Sequence, residues 1–231
     1  MQQQLLPCVE IDPPGTARAA VVWLHGLGAD GHDFESIVPM LGLRPEDAVR
    51  FVFPRAPKIS VTVNMGMVMP AWYDVAGLDF DREPDEAGVR RSADQVRALI
   101  ERENERGVPC ERIVLAGFSQ GGAIALHLGL RYEEPLAGIL ALSTYLATES
   151  TLASERSEAN RAVPIFQAHG TRDPMVPLAL GTRTRDRLRA DGYAVEWSEY
   201  PMEHAVCPEE IEAVGAWLRA RLGGPGSRDR T

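Results

Sequence analysis

Lysine is almost missing from this 231-residue chain: Lys58 stands alone and arginine carries the positive charge, which reads as codon usage rather than chemistry. Cysteine is scarce as well. Cys8, Cys110 and Cys207 are odd in number, far apart and without a C-x-x-C pair, so neither a disulfide framework nor a zinc site is expected, and a reducing cytoplasm fits best. The five histidines show no H-x-x-x-H or H-x-E spacing, so no metal is expected. No segment approaches the run of about 18 apolar residues that a membrane span needs, and the first residues lack a charged stretch leading into an apolar one. Basic residues are outnumbered, 24 against 33 acidic, and are scattered along a chain of net charge -9. That balance argues against nucleic acid or an anionic membrane as a partner.

What is present is the composition of an ordinary globular enzyme, 45% hydrophobic and 25% charged. The length suffices for one sizeable core, no internal repeat is visible, and nothing divides the chain. One domain over 1–222 is expected, followed by a disordered Gly- and Pro-containing tail, 223–231.

The most informative stretch runs from Ile113 to Leu126. Its apolar residues show no polar alternation, the mark of a strand buried on both faces, and they stop at Gly117-Phe118-Ser119-Gln120-Gly121 before a helical run begins. G-x-S-x-G between strand and helix is a nucleophile elbow: the turn is tight enough to strain Ser119, and only glycine at 117 and 121 leaves room for it. The turn lifts the Ser119 hydroxyl out of the sheet edge, while the Gln120 amide, first in the new helix, faces the space where an oxyanion would form.

Other strands are expected at 5–11, 19–24, 50–54, 137–143, 164–170 and 194–200, and helices near 84–106, 180–188 and 208–222. Strands alternating with helices imply an α/β fold, a mostly parallel central sheet with helices on both faces. His25-Gly26-Leu27-Gly28 forms a loop whose glycines let amides converge, and His25 is read as fixing that loop rather than as a base. Residues 55–74 read as a long irregular excursion. Met65, Met67 and Met69 alternate with Gly66 and Val68 there, and with Trp72 nearby they are expected to form an adaptable apolar wall on the substrate side. The face Glu101 to Arg106 reads as solvated surface, and His127 as packing.

Asp173, after the strand ending at Gly170, and His204, after the last strand, complete the order Ser, Asp, His on one sheet edge. Ser119 is then the nucleophile, His204 the base and Asp173 its orienting partner. Asp74, Asp79 and Asp81 precede Ser119 and break that order.

These residues resemble a known family, the carboxylesterase and acyl-protein thioesterase branch of α/β-hydrolases, also called phospholipase/carboxylesterase. The resemblance rests on Leu24 to Gly31, Ala71-Trp72-Tyr73-Asp74, Leu115 to Ala123, Asp173-Pro174 with Val176-Pro177, and Tyr200-Pro201-Met202 before His204, and so spans nearly the whole chain. It implies an α/β-hydrolase fold, an esterase acting on short or medium acyl esters, the Leu27 and Gln120 amides as oxyanion hole, and no cofactor. Met175 departs from the Asp-Pro motif and reads as packing; with Val176 it is also carried as a substrate-side candidate. A second departure is Glu203, where the family has glycine before the catalytic histidine. If that position needs a positive φ, Glu203 costs about 1 kcal/mol, and its carboxylate would raise the His204 pKa. An acyl-protein thioesterase or a lysophospholipase would use the same triad, and a ligand-binding protein on this fold is the distant alternative. Residues 145–161 and the methionine loop are the candidates for a lid or a homodimer contact.

Overall fold

The computed structural model describes residues 5–77 and 84–223. Seven strands form one sheet: β1 (Cys8–Ile11), β2 (Ala19–Leu24), β3 (Val49–Pro54), β6 (Ile113–Phe118), β7 (Gly138–Leu142), β8 (Ile165–Gly170) and β9 (Val195–Tyr200). Their order across the sheet is β1-β3-β2-β6-β7-β8-β9, with β1 antiparallel to β3 and every other pairing parallel. A separate hairpin pairs β4 (Lys58–Val61) with β5 (Met67–Pro70). The helices are α1 (Glu86–Glu105), α2 (Gln120–Gly129), α3 (Glu149–Glu155), α4 (Leu178–Ala190) and α5 (Pro208–Leu222), with a 3-10 segment at Glu35–Leu41.

The unbroken apolar runs of the central strands divide between two cores because successive side chains leave opposite faces of a strand. In β2, Ala20, Val22 and Leu24 join α1 and α2 on one side, while Ala19, Val21 and Trp23 pack with Phe34, Ile37 and α5 on the other. In β6, Ile113 and Leu115 take the first side, Val114 and Ala116 the second. Two covered faces hold the sheet rigid, and the carboxyl ends of β6, β8 and β9 emerge along one edge. No helix among the described residues is long and apolar enough to cross a membrane.

Two expectations need correction. The excursion 55–74 is not irregular: it contains the β4–β5 hairpin, whose strands are four residues each and of which β5 carries no apolar-polar alternation, being largely open on both faces. Residues 145–161, the candidate lid or dimer segment, contain α3 and a 3-10 turn at Glu158–Asn160. Glu103 is not on a solvated face. It is fully buried and accepts hydrogen bonds from Arg50 Nη1 at 2.8 Å, Arg102 Nη2 at 2.9 Å and Arg106 Nη1 at 2.9 Å, as a buried carboxylate must to offset its lost hydration. The tail beyond Gly223, like Asp79 and Asp81, lies outside the described residues.

Candidate active site

Ser119 sits between β6 and α2 with φ 54° and ψ -122°, a backbone conformation that costs a side-chain-bearing residue on the order of 1–3 kcal/mol. The surroundings hold it there. Its N–H donates to Leu142 O at 2.9 Å, and its carbonyl accepts from Thr144 Oγ1 at 2.7 Å and from Ala123 N at 3.2 Å. The flanking glycines are steric requirements, since a Cβ on Gly117 would stand 2.3 Å from Gly121 O and one on Gly121 would stand 2.4 Å from Leu24 O.

Asp173 lies in the turn after β8. Its Oδ1 accepts from Met175 N at 2.8 Å and from Val176 N at 2.9 Å, which turns Oδ2 toward His204 Nδ1 at 2.6 Å. A carboxylate can only accept here, so Nδ1 carries the imidazole proton and Nε2, 2.8 Å from Ser119 Oγ, is the free base. The loop that carries His204 runs tight against β8. Arg172 N donates to Met202 O at 3.1 Å, and Gly170 has no Cβ because the Met202 and Glu203 carbonyls would lie 2.5 Å from it. Phe118 backs the imidazole, ring centroids 4.7 Å apart. Glu203 is exposed and is not among the residues with positive φ, so the loop accepts a side chain there without the strain the family's glycine suggests.

On the other side of Ser119, Gly26 approaches closely enough that a Cβ on it would contact the Ser119 Cβ at 3.5 Å, which puts the following residue, Leu27, beside Ser119. The Leu27 amide has no acceptor among the described residues, and the Gln120 amide opens α2, where no intrahelical acceptor exists. Both are available to an oxyanion. His25 fixes this loop: Nδ1 donates to Gly26 O at 2.7 Å and Nε2 accepts from Ala56 N at 3.1 Å, while burial lowers its pKa and keeps it neutral. His127, far along α2, bonds Thr148 Oγ1 at 2.7 Å, and its burial brings its pKa down to about 3.

The expected substrate wall is only partly assembled. Trp72 is 2% exposed: its backbone N–H donates to Gln120 Oε1 at 2.8 Å and its indole N–H to His25 O at 2.8 Å, so it supports the 25–28 loop from behind and offers no surface to a substrate. Met65 is 93% exposed at a turn with φ 56°, outside the extended strand, so the alternation that was to align three methionines does not reach it. Met67 is 58% exposed. Met69 is half-buried and near the oxyanion loop, its sulfur 3.8 Å from where a Gly28 Cβ would be, and Gly28 N donates to Pro70 O at 2.9 Å. Val176 is buried, and Met175 is 49% exposed rather than packed; both serve Asp173 through their backbone amides. Asp74 ties the segment after β5 to the turn that follows β4, accepting from Thr62 N at 2.7 Å and Thr62 Oγ1 at 2.6 Å.

Two contributions had no sequence signal. The Gln120 side chain, besides holding Trp72 N, donates to Tyr73 O at 2.6 Å, and His169 lies directly behind Asp173. Both are long-range contacts made by residues whose local pattern reads only as helix start and strand.

The phospholipase/carboxylesterase family model matches residues 7–222. Acyl-protein thioesterase 1 of Neurospora crassa is 44% identical over 220 residues, 90% of each chain. Among solved structures, SOBER1 of Arabidopsis thaliana superposes with TM-score 0.84 at 32% identity, over 89% of this chain and 100% of that one. Acyl-protein thioesterase 2 of Zea mays superposes with TM-score 0.83 at 30% identity, over 94% and 99%. With its mostly parallel sheet of the α/β-hydrolase type, the chain belongs to the phospholipase/carboxylesterase family.

Proposed function

We propose that this chain is a serine hydrolase that cleaves short- to medium-chain acyl esters through an acyl-enzyme on Ser119. The observation that carries the reading is the hydrogen-bonded series Ser119 Oγ, His204, Asp173, with steps of 2.8 and 2.6 Å. Ser119 Oγ attacks the acyl carbonyl as His204 Nε2 takes its proton; the oxyanion meets the Leu27 and Gln120 amides, and Asp173 stabilises the imidazolium. The tetrahedral intermediate collapses, His204 returns the proton to the departing alcohol, and the Ser119 ester remains. Water, activated by the same imidazole, attacks that ester in the second half, releases the acid and restores the serine. No step calls for a metal or a cofactor, so EDTA is expected to leave activity intact. A fluorophosphonate probe should label Ser119, and Ser119→Ala should abolish both labelling and hydrolysis. An adduct elsewhere, or full activity in that variant, refutes the reading.

The 44% identity to a protein named acyl-protein thioesterase 1 favours a second reading, in which the acyl group is delivered as a thioester. The same centre serves both because a thiolate leaves without needing full protonation. Comparing kcat/KM on p-nitrophenyl esters and acyl thioesters of increasing chain length decides between them.

A further inference from the structure

Two imidazoles face the same oxygen of Asp173. His204 Nδ1 is 2.6 Å from Oδ2, and His169 Nε2 is 3.7 Å from it. The second is held back by a different bond, since His169 Nε2 lies 2.8 Å from Val176 O. A carbonyl only accepts, so Nε2 bears the His169 proton and Nδ1 is bare. Nδ1 is buried and has no partner among the described residues, and the ring has nowhere to turn: a Cβ on Gly181 of α4 would stand 2.4 Å from Nδ1. Trp197 of β9 stacks on the ring at 6.3 Å and 27°, with the Arg185 guanidinium 4.9 Å from the Trp197 centroid. The charged and titratable groups that act on His169 are Asp173, His204 and Glu199, and burial, the largest influence, lowers its pKa.

We infer that His169 is a positioning residue for the catalytic carboxylate: its Nε2–H, given to Val176 O, fixes the 173–176 turn and leaves Asp173 Oδ2 to His204 alone. The turn is thereby tied twice, through both backbone groups of Val176. Val176 N holds Asp173 Oδ1 from within, and Val176 O is held from β8. Without the second tie, the carboxylate can rotate on its two amide contacts, and a shift of about 1 Å in such a group costs up to roughly a hundredfold in rate. A bare Nδ1 also keeps the ring neutral, because a proton there would be buried without an acceptor. The inference rests on the Ser119-His204-Asp173 reading given above.

The test compares His169→Leu, which removes the donor, with His169→Gln, whose amide N–H can still reach Val176 O. In His169→Leu, kcat on a p-nitrophenyl ester should fall about tenfold to a hundredfold with KM little changed. The acid limb of kcat/KM should move to lower pH, since a looser Asp173 stabilises the His204 imidazolium less. His169→Gln should recover most of kcat and return the limb to its place. If His169→Leu does not fold, Gly181→Ala takes its place, because the new methyl must displace the imidazole; it should show the same change in smaller measure. A foldable His169→Leu or Gly181→Ala with wild-type kcat and an unmoved pH profile overturns the inference, as does a loss in His169→Leu that His169→Gln fails to restore. Ser119→Ala run alongside separates the two failures: if that variant keeps its activity, the triad reading has failed, and His169 is not at issue.

Discussion

The elbow edge of the sheet and the β4–β5 hairpin are neighbours, joined where Gly28 N meets Pro70 O, yet they are built on opposite terms. At the edge the Ser119 backbone is bonded to Leu142, Thr144 and Ala123, the Asp173 turn and the His204 loop are tied to β8, and glycines stand where a methyl would collide with a carbonyl. The hairpin is closed by its own short ladder and shows Met65, Met67 and Val68 to the surface. Groups that must hold a geometry to a fraction of an ångström are anchored between two buried cores, while the hairpin surface is free of such constraints.

The comparison predicts where substitutions hurt. Asp173→Asn keeps the size of the side chain but removes the acceptor for Nδ1–H and should lower kcat by roughly ten-thousandfold, measured on a p-nitrophenyl ester, with little change in melting temperature. A loss of less than about tenfold would mean that the carboxylate does little for His204. Next in size, Gly121→Ala forces a methyl to 2.4 Å from Leu24 O and should destabilise the fold by about 2–4 kcal/mol in urea titration.

A third prediction concerns pH. Glu210, buried near the start of α5, is pushed up to about 8 by its burial, with the Cys207 amide pulling it down in part. The folded chain therefore holds a proton that the unfolded chain, at 4.5, releases, so stability falls as pH rises from 4.5 to about 8 and then levels off. Glu210→Gln should flatten that slope and gain on the order of 1–3 kcal/mol at pH 8, read from melting curves at several pH values. A slope equal to wild type would show that Glu210 is ionised throughout. The smallest effect belongs to the hairpin: Met67→Ala with Met69→Ala should alter the chain-length ranking of kcat/KM by up to about 1 kcal/mol per side chain and barely touch the melting temperature. A lowered melting temperature with an unchanged ranking would assign both methionines to packing and remove the contrast.

Much of the edge was legible in the chain because its signals are local. The elbow announces itself through two glycines and a serine between an apolar run and a helix, and Asp173 and His204 follow strands that periodicity alone reveals. The hairpin and the supports behind the site were not. Alternation aligned Met65 with Met67 and Met69, but Met65 falls in a turn with φ 56°; Trp72 reads as part of a substrate-side wall until Gln120 and His25 take both of its N–H groups. Glu103 reads as one charge in a solvated run until Arg50, distant in sequence, arrives to pair with it.

By itself, then, the sequence determined the strand-helix alternation, the strained turn at Ser119 and the order Ser119, Asp173, His204 along one sheet edge, since each depends on residues adjacent in the chain. Tertiary structure alone decided which side chains lie behind the site and which lie open, why Glu103 can be buried, and that His169 stands behind Asp173. Those outcomes depend on which distant element packs against a given residue, and a buried polar group is stable only when such an element brings its partner.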